Sequence, residues 1–499
     1  MSFLQQWKQT SGTAYWLLFP LVAMTAPASL ASGMSKTMHR HAWKLFCFIV
    51  LPAIYLGLLG EFSIGGRTVV PPSLILVGGS MLLFSGFAAM HFRRLLKFPL
   101  VLPVTWYLLA VSLSGWHSVS HLHWTRGLIE VLLGFCFLLF PHLFLRNRRQ
   151  LELCLNVLVL LAISTVLFAI LQTVAFASIR GALALVYRKE DLWWIVGWGW
   201  RGRLAGNWVH PSYLGSVLNV AAPFALLRYV RADTAPKLGI ALIWYLTLAA
   251  GIALTGTRTP TLAFFLASAV FIGLVKNRRR AWTALACAAA VVISLSLFHF
   301  RFAPPDVGST ASLPETMALM DRLELRGSRK LATVNMRWIT DREALSLFRT
   351  SPWFGIGMRN YPDRALGDPM AQFSIHNSVV QNLTELGVFG LAAFLALVGA
   401  ALRTDFRPRL VSVPELQPLR AALFCSSCAI LLESLAENSL AVWQVLALFW
   451  LMRGISLVIS QHPTAFLNCG VSAGRAKRQY RTRSSSQEGS FASFPIAAG

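Results

Sequence analysis

Three short stretches gather the residues able to do chemistry. They are Gly202-Arg203-Leu204-Ala205-Gly206-Asn207-Trp208-Val209-His210-Pro211, Leu254-Thr255-Gly256-Thr257-Arg258-Thr259-Pro260 and Ile375-His376-Asn377-Ser378. The last runs on into Glu385-Leu386-Gly387-Val388-Phe389-Gly390. Arginine offers a fixed charge and a planar fork that matches phosphate oxygens. Two of them, Arg203 and Arg258, can neutralise a diphosphate. A diphosphate is a good leaving group and needs no general acid, whereas an attacking hydroxyl gains from a base. The imidazole of His376 has the right ordinary pKa, near 6.5. The set therefore fits transfer of a glycan from a lipid diphosphate to a hydroxyl, without a metal. No Asp-x-Asp pair stands in the expected outer loops to hold a divalent cation. Glu190-Asp191 comes nearest and reads as an ordinary acidic pair of a loop.

Each of these residues also has a plain structural use. Arg203 and Arg258 sit at span ends, where arginines snorkel to the interface. His376 can cap a helix or face water. Glu385 differs, because it lies two turns into an apolar span, where a carboxylate is costly and needs a partner. An arginine or a backbone group would serve, and Glu433 and Glu437 raise the same question. His117 and His121 have i, i+4 spacing, with His123 beside them, but no third metal ligand follows at a telling spacing. They read as polar residues of the interface beside Trp116 and Trp124. Trp193, Trp194, Trp198 and Trp200 form either an interfacial belt or stacking faces for sugar rings. Cys425 and Cys428 make a C-x-x-C pair inside an apolar run, where packing explains them better than redox or metal chemistry.

The elements that must position these groups are membrane helices. Of 499 residues, 56% are hydrophobic and 13% charged, against about 25% charged in soluble domains. Apolar runs near 20 residues alternate with clusters of arginine and lysine, the length a helix needs to cross the hydrocarbon. Barrel strands are far shorter than these runs. The pattern predicts an all-α polytopic membrane protein with spans near 14–32, 43–60, 69–90, 98–115, 127–145, 151–178, 209–230, 238–255, 259–275, 281–300, 377–402, 419–435 and 440–460. The first can span, giving thirteen helices, lie as a hairpin or in the interface, giving twelve, or be a cleaved leader ending near Ser29-Leu30-Ala31.

The loops sort by charge. Clusters at 93–97, 146–149, 228–237, 276–280 and 403–409 alternate with loops that carry few cations, which places the clusters in the cytoplasm. The three reactive stretches then share the opposite, periplasmic face. Two long loops lie there, 179–208 and 301–376. In the second, Val334 to Phe348 reads as a helix with Trp338, Leu345 and Phe348 on one side, stopped before Pro352. The net charge of +25 belongs mostly to span flanks. The basic tail, Arg475 to Arg483, suits anionic lipid heads rather than nucleic acid.

Taken in order, the motifs resemble the O-antigen ligase and polymerase family of bacterial envelopes. Arg203-x-x-Gly206 precedes a His210-Pro211 span start, and a Thr255-Gly256-Thr257-Arg258 turn follows. A large outer loop then carries Arg337-Trp338, Ser351-Pro352-Trp353-Phe354-Gly355-Ile356-Gly357 and Asn360-Tyr361. It closes on His376-Asn377 and Glu385-Leu386-Gly387. The resemblance covers about residues 200–400. Thr257-Arg258-Thr259 stands where Ser-Arg-Gly is usual, and Pro211-Ser212 where Pro-Asn is usual.

The resemblance implies an inner-membrane, inverting glycosyltransferase with an undecaprenyl diphosphate donor. The acceptor is another glycan, the lipid A core or a protein, and no metal, cofactor or nucleotide sugar enters this step. Arg203 and Arg258 become diphosphate ligands and His376 the catalytic base, with Arg337, Asn377 and Glu385 in support. The chain divides into an N-terminal bundle (1–178), helices carrying the arginine motifs (179–300), the large periplasmic loop with short helices (301–376), C-terminal helices (377–461) and a basic cytoplasmic tail (462–499). A polymerase of the same family, a transporter of lipid-linked glycans and a non-catalytic envelope scaffold are the alternatives. Against transport, no paired halves with broken spans occur, and the polar groups gather at one face.

Overall fold

Long runs of Leu, Ala, Val and Phe, with arginine clusters only at their ends, leave the backbone no partner but itself, and it coils into helices. The computed structural model describes residues 42–55, 62–64, 67–69, 98–174, 203–208, 210–302, 329–364, 375–406 and 413–467. Among these the helices are α1 (Ala42–Tyr55), α2 (Val101–Ser114), α3 (His121–Phe144), α4 (Arg148–Val174), α5 (Pro211–Arg231), α6 (Ala235–Leu254) and α7 (Arg258–Leu274). They continue with α8 (Arg278–Phe302), α9 (Arg329–Phe348), α10 (Ser378–Arg403), α11 (Gln417–Ser434) and α12 (Trp443–Gln461). Eight helices among the described residues are long and apolar enough to cross a membrane, and α1 and α7 are shorter apolar helices. The expected spans 14–32 and, apart from Val69, 69–90 fall outside the described residues. The all-α expectation has one exception. In the short turn that carries Arg67, β1 (Phe62–Ile64) pairs antiparallel with β2 (Arg67–Val69).

The packing is built around α5 and α12, which are buried over most of their length. α5 contacts α6, α7 and α11, while α12 lies along α3. Gly215 brings α5 against α7, since a Cβ there would stand 2.5 Å from the Pro260 ring. That close approach fixes the start of α7 relative to the start of α5. Midway along α12 the guanidinium of Arg453 is fully buried. It donates to Asp405 and to the Leu423 carbonyl, and Ser456 donates to the same carboxylate. A buried charge is tolerated only when paired in this way.

The expected helix in the large loop is present as α9 and ends at Phe348, before Pro352. The side that carries Trp338 and Leu345 turns away from the protein. Trp338 and Leu345 are exposed, and Thr340 and Ala344 are buried. The small side chains allow close approach to α10, where Thr384 Oγ1 donates to the Ala344 carbonyl at 3.1 Å. Tyr361, Ile356 and Ile375 complete this small core.

Helix α10 is broken at Gly387 (φ 69°), and the segment after α9 fills the break. Ile356 N–H donates to the Thr384 carbonyl and Gly357 N–H to the Glu385 carbonyl, both at 3.1 Å. In return, Val388 and Phe389 N–H donate to the carbonyls of Pro352 and Trp353 at 2.9 and 3.2 Å. Gly355 also has positive φ, 71°. A Cβ at Gly355 would meet the Glu385 backbone at 2.2 Å, and one at Gly387 the Trp353 backbone at 2.3 Å. The Trp353-to-Gly357 and Glu385-to-Gly387 motifs are thus two halves of one joint. It ties the loop to the helix that starts just after His376.

Candidate active site

All three reactive stretches end at helix N-termini. His210 is the N-cap of α5, with Pro211 at its first position, where the missing N–H costs nothing. Arg258 is the first residue of α7. Asn377 caps α10, its Oδ1 accepting from Val379 N at 2.8 Å and from Val380 N at 3.3 Å. Helix N-termini present free N–H groups and the positive end of the helix dipole, both favourable to an anion.

Arg203 lies on the turn that leads into α7. Its Nε donates to the Thr255 carbonyl at 2.9 Å, and Leu204 N–H donates to the Leu254 carbonyl, also at 2.9 Å. The aliphatic stem covers Gly256 so closely that a Cβ there would sit 3.2 Å from Arg203 Cγ. Gly256 has φ 61°, a conformation only glycine takes cheaply. The first arginine is thus laid across the turn that carries the second. Arg258 is exposed and Arg203 half-buried.

His376 faces the same cluster. Glu437 lies beside it, with Oε2 4.0 Å from His376 Nδ1, and pairs through Oε1 with Arg337. Arg337 Nε is buried and has no hydrogen-bond partner among the described residues. Burial, followed by the Arg337 charge, pushes the His376 pKa down to about 4. Burial pushes His210 down to about 3, with further contributions from the charges of Arg203, His376 and Arg337. Arg203, Arg337, His210 and His376 are therefore electrostatic neighbours. Both imidazoles are neutral at neutral pH.

Asn438 fixes the backbone around His376. Its N–H donates to the His376 carbonyl, and its Nδ2 donates to the Ile375 carbonyl at 2.7 Å. Its Oδ1 accepts from Ser378 at 2.7 Å. Behind it, buried Glu433 accepts from Ser216 and Asn219 of α5. Ser216 also contacts Ser439 Oγ at 2.9 Å, joining α5 to the segment that carries Glu437.

Glu385 lies apart from the arginine–histidine cluster. Gln381 Nε2 donates to it at 3.0 Å, and the backbone N–H groups of Arg359 and Tyr361 approach it. It lines a cavity of mixed character, with Glu130, Arg359, Gln381 and Asn438 on one hand and Leu386, Phe394 and Trp450 on the other. Arg359, whose φ is 62°, pairs with Glu130 and donates to the Ala441 carbonyl. Of the two kinds of partner expected for Glu385, backbone groups bond it, while the nearby Arg359 guanidinium pairs with Glu130. His123 is bound to Asp363 at 2.6 Å, and Arg364 donates to the His117 carbonyl, so the histidine cluster fastens its loop to the large loop. Reading the sequence missed the Arg359–Glu130 pair, because neither residue carried a motif. It also left Glu437 without a partner, because the hundred residues between Arg337 and Glu437 hide their contact.

A helical membrane protein with a cationic, histidine-bearing cluster at one end of its bundle is the class that fold and site define. Residues 243–395 match the family model described as O-antigen ligase, which supports the O-antigen ligase family for this chain. The match includes Arg258, Arg337, His376, Asn377 and Glu385, and Arg203 lies before it. No curated protein matches the chain. The family implies a glycosyltransferase-like enzyme of the ligase or polymerase type, with lipid-linked glycan and membrane lipid as partners.

Proposed function

We propose that the chain transfers a glycan from undecaprenyl diphosphate to an acceptor hydroxyl at the periplasmic face of a bacterial inner membrane, as an O-antigen ligase does. One observation carries this reading. Arg203 lies on the Arg258 turn, its charge acts on His210, and the charge of Arg337 acts on both His210 and His376. Arg203 and Arg258 take the diphosphate, aided by the α7 N-terminus. Arg337 adds charge beside the base. Glu437, with one oxygen near Nδ1, favours the tautomer that leaves Nε2 of His376 to accept a proton.

The acceptor oxygen attacks the anomeric carbon from the face opposite the diphosphate, and the bond from that carbon to the diphosphate oxygen breaks. The configuration inverts. The hydroxyl proton passes to His376, and the electron pair leaves with the lipid diphosphate, whose added charge the arginines hold. No metal is required by this scheme.

The test is purified protein in liposomes with a labelled lipid-diphosphate glycan and an acceptor, with and without EDTA. Glycan transfer in both conditions supports the reading. Failure of every donor–acceptor pair, with movement of intact donor across the bilayer instead, rejects it in favour of transport.

A further inference from the structure

Helix α9 turns an unusual face outward. Trp338, Arg342, Leu345 and Arg349 recur at i, i+4, i+7 and i+11, which places them along one side of the helix, and all four are exposed. Trp338 is 68% exposed and Ile339 beside it is also open. The following turn adds Trp353, again 68% exposed, and Phe354. Neither Arg342 nor Arg349 has an acidic partner among the described residues. An indole, an aliphatic side chain and two guanidinium groups along one side, with Ile339 beside them and a second indole in the following turn, are not a surface that water favours.

That face continues into the lipid-facing side of the bundle. Phe389 of α10 packs on Phe354, with ring centroids 5.9 Å apart. Its neighbour Val388 is exposed, as is Leu395 two turns further along α10. Leu102 and Leu109 of α2, which packs on α10, are exposed as well. The apolar surface is therefore continuous from two helices of the bundle to α9. At α9 it acquires exposed indoles and cations. Tryptophan collects at the headgroup level of membranes, and arginines there pair with anionic headgroups while burying their stems.

We propose that the outward face of α9, with Trp353 and Phe354, is an interfacial anchor. It beds in the anionic phospholipid headgroups and upper acyl chains of the leaflet at this end of the bundle. Arg337 directly precedes Trp338 on the same helix, to one side of the outward face, and is paired with Glu437, so the anchor fixes the height of that arginine relative to the lipid phosphates. The anchoring is independent of the transferase reading.

Nitroxide labels test it. Single cysteines replace Trp338, Leu345 and, as an inward control, Glu343, in the full chain with its seven native cysteines replaced. Each variant must elute as the parent does before it is measured. In phosphatidylethanolamine liposomes with one quarter phosphatidylglycerol, labels at 338 and 345 should be relaxed more by oxygen than by a water-soluble nickel chelate. The label at 343 should not. Adding Arg342→Glu and Arg349→Glu, or omitting phosphatidylglycerol, should move both outward labels at least several-fold toward the nickel-accessible limit. Water-like nickel accessibility at 338 and 345 in the parent overturns the proposal. So does low accessibility to both reagents regardless of lipid, which would mean that protein covers the face.

Discussion

Arg337 of α9 and Glu437 of the segment before α12 are paired across the mouth of the candidate site, and the free oxygen of Glu437 stands 4.0 Å from His376 Nδ1. One carboxylate thus pairs with a cation and lies beside a base that stands on a different segment. Glu437→Gln keeps the shape and removes the charge. Glycan transfer should fall roughly 10²-fold, the usual scale of general-base contributions, with membrane protein levels unchanged. Glu437→Asp should recover part of it. Unchanged transfer by Glu437→Gln would remove the carboxylate from the account.

The second prediction concerns pH. His376 must be neutral to accept a proton, and burial with Arg337 lowers its pKa to about 4. Transfer should persist as pH falls through 6 and be lost only as it approaches 4. Removing the nearby positive charge in Arg337→Gln should raise that pKa, so the acid limb of kcat/KM should move up toward the ordinary 6.5. The sign for stability follows from the same shifts. Below about 6.5 the unfolded chain takes up protons that folded His376 and His210 resist. Their contribution is complete above that pH and declines as pH falls toward the folded values. A thermal midpoint in detergent that rises between pH 7 and pH 5 at these two positions, judged against the His376→Gln and His210→Gln variants, would contradict the assignment.

A third prediction tests the joint between the loop and α10. Gly355→Ala and Gly387→Ala each force a Cβ into backbone at 2.2–2.3 Å in a left-handed conformation. Each should destabilise by well over the roughly 1 kcal/mol typical of an alanine at positive φ. Lower detergent-extracted yield and an earlier thermal transition by fluorescence-detected size exclusion are the readouts. Gly399→Ala, where a Cβ meets nothing within 4 Å, should leave both unchanged.

The fourth concerns Glu130 and Arg359, which hold the large loop to α3. Glu130→Ala leaves a mostly buried arginine unpaired. The loss should fall somewhat under the roughly 3–5 kcal/mol typical of breaking a fully buried pair, because Arg359 keeps part of its surface in water. Glu130→Gln with Arg359→Gln should cost less than Glu130→Ala alone. Equal or greater loss in the double variant would show that the charges are not coupled.

Much of this was legible in the sequence, for physical reasons. Apolar runs and arginine flanks mark membrane helices whatever the tertiary fold, and α3 to α8 and α10 to α12 lie close to the spans that hydropathy predicts. Arg258 and His376 stand out because each lies where a helix begins, a place both sequence and dipole mark, and Arg203 because it leads to the His210-Pro211 start of α5. Asn377, expected in support, acts as a helix cap. What stayed hidden was pairing at a distance. Nothing local tells that Glu437 faces Arg337, or that Arg359 reaches Glu130. The sequence shows Trp338 and Leu345 on one side of α9 but not which way that side turns, and it is Thr340 and Ala344 that face the protein.

The most direct test of the central claim is donor binding set against transfer. Purified parent, Arg203→Ala, Arg258→Ala and His376→Ala proteins are titrated with undecaprenyl diphosphate-linked glycan, and the same preparations are assayed with acceptor. The account predicts that each arginine variant loses donor affinity at least tenfold, while His376→Ala binds donor like the parent and transfers nothing. Parent-like donor binding by both arginine variants, or glycan transfer by His376→Ala, would contradict it.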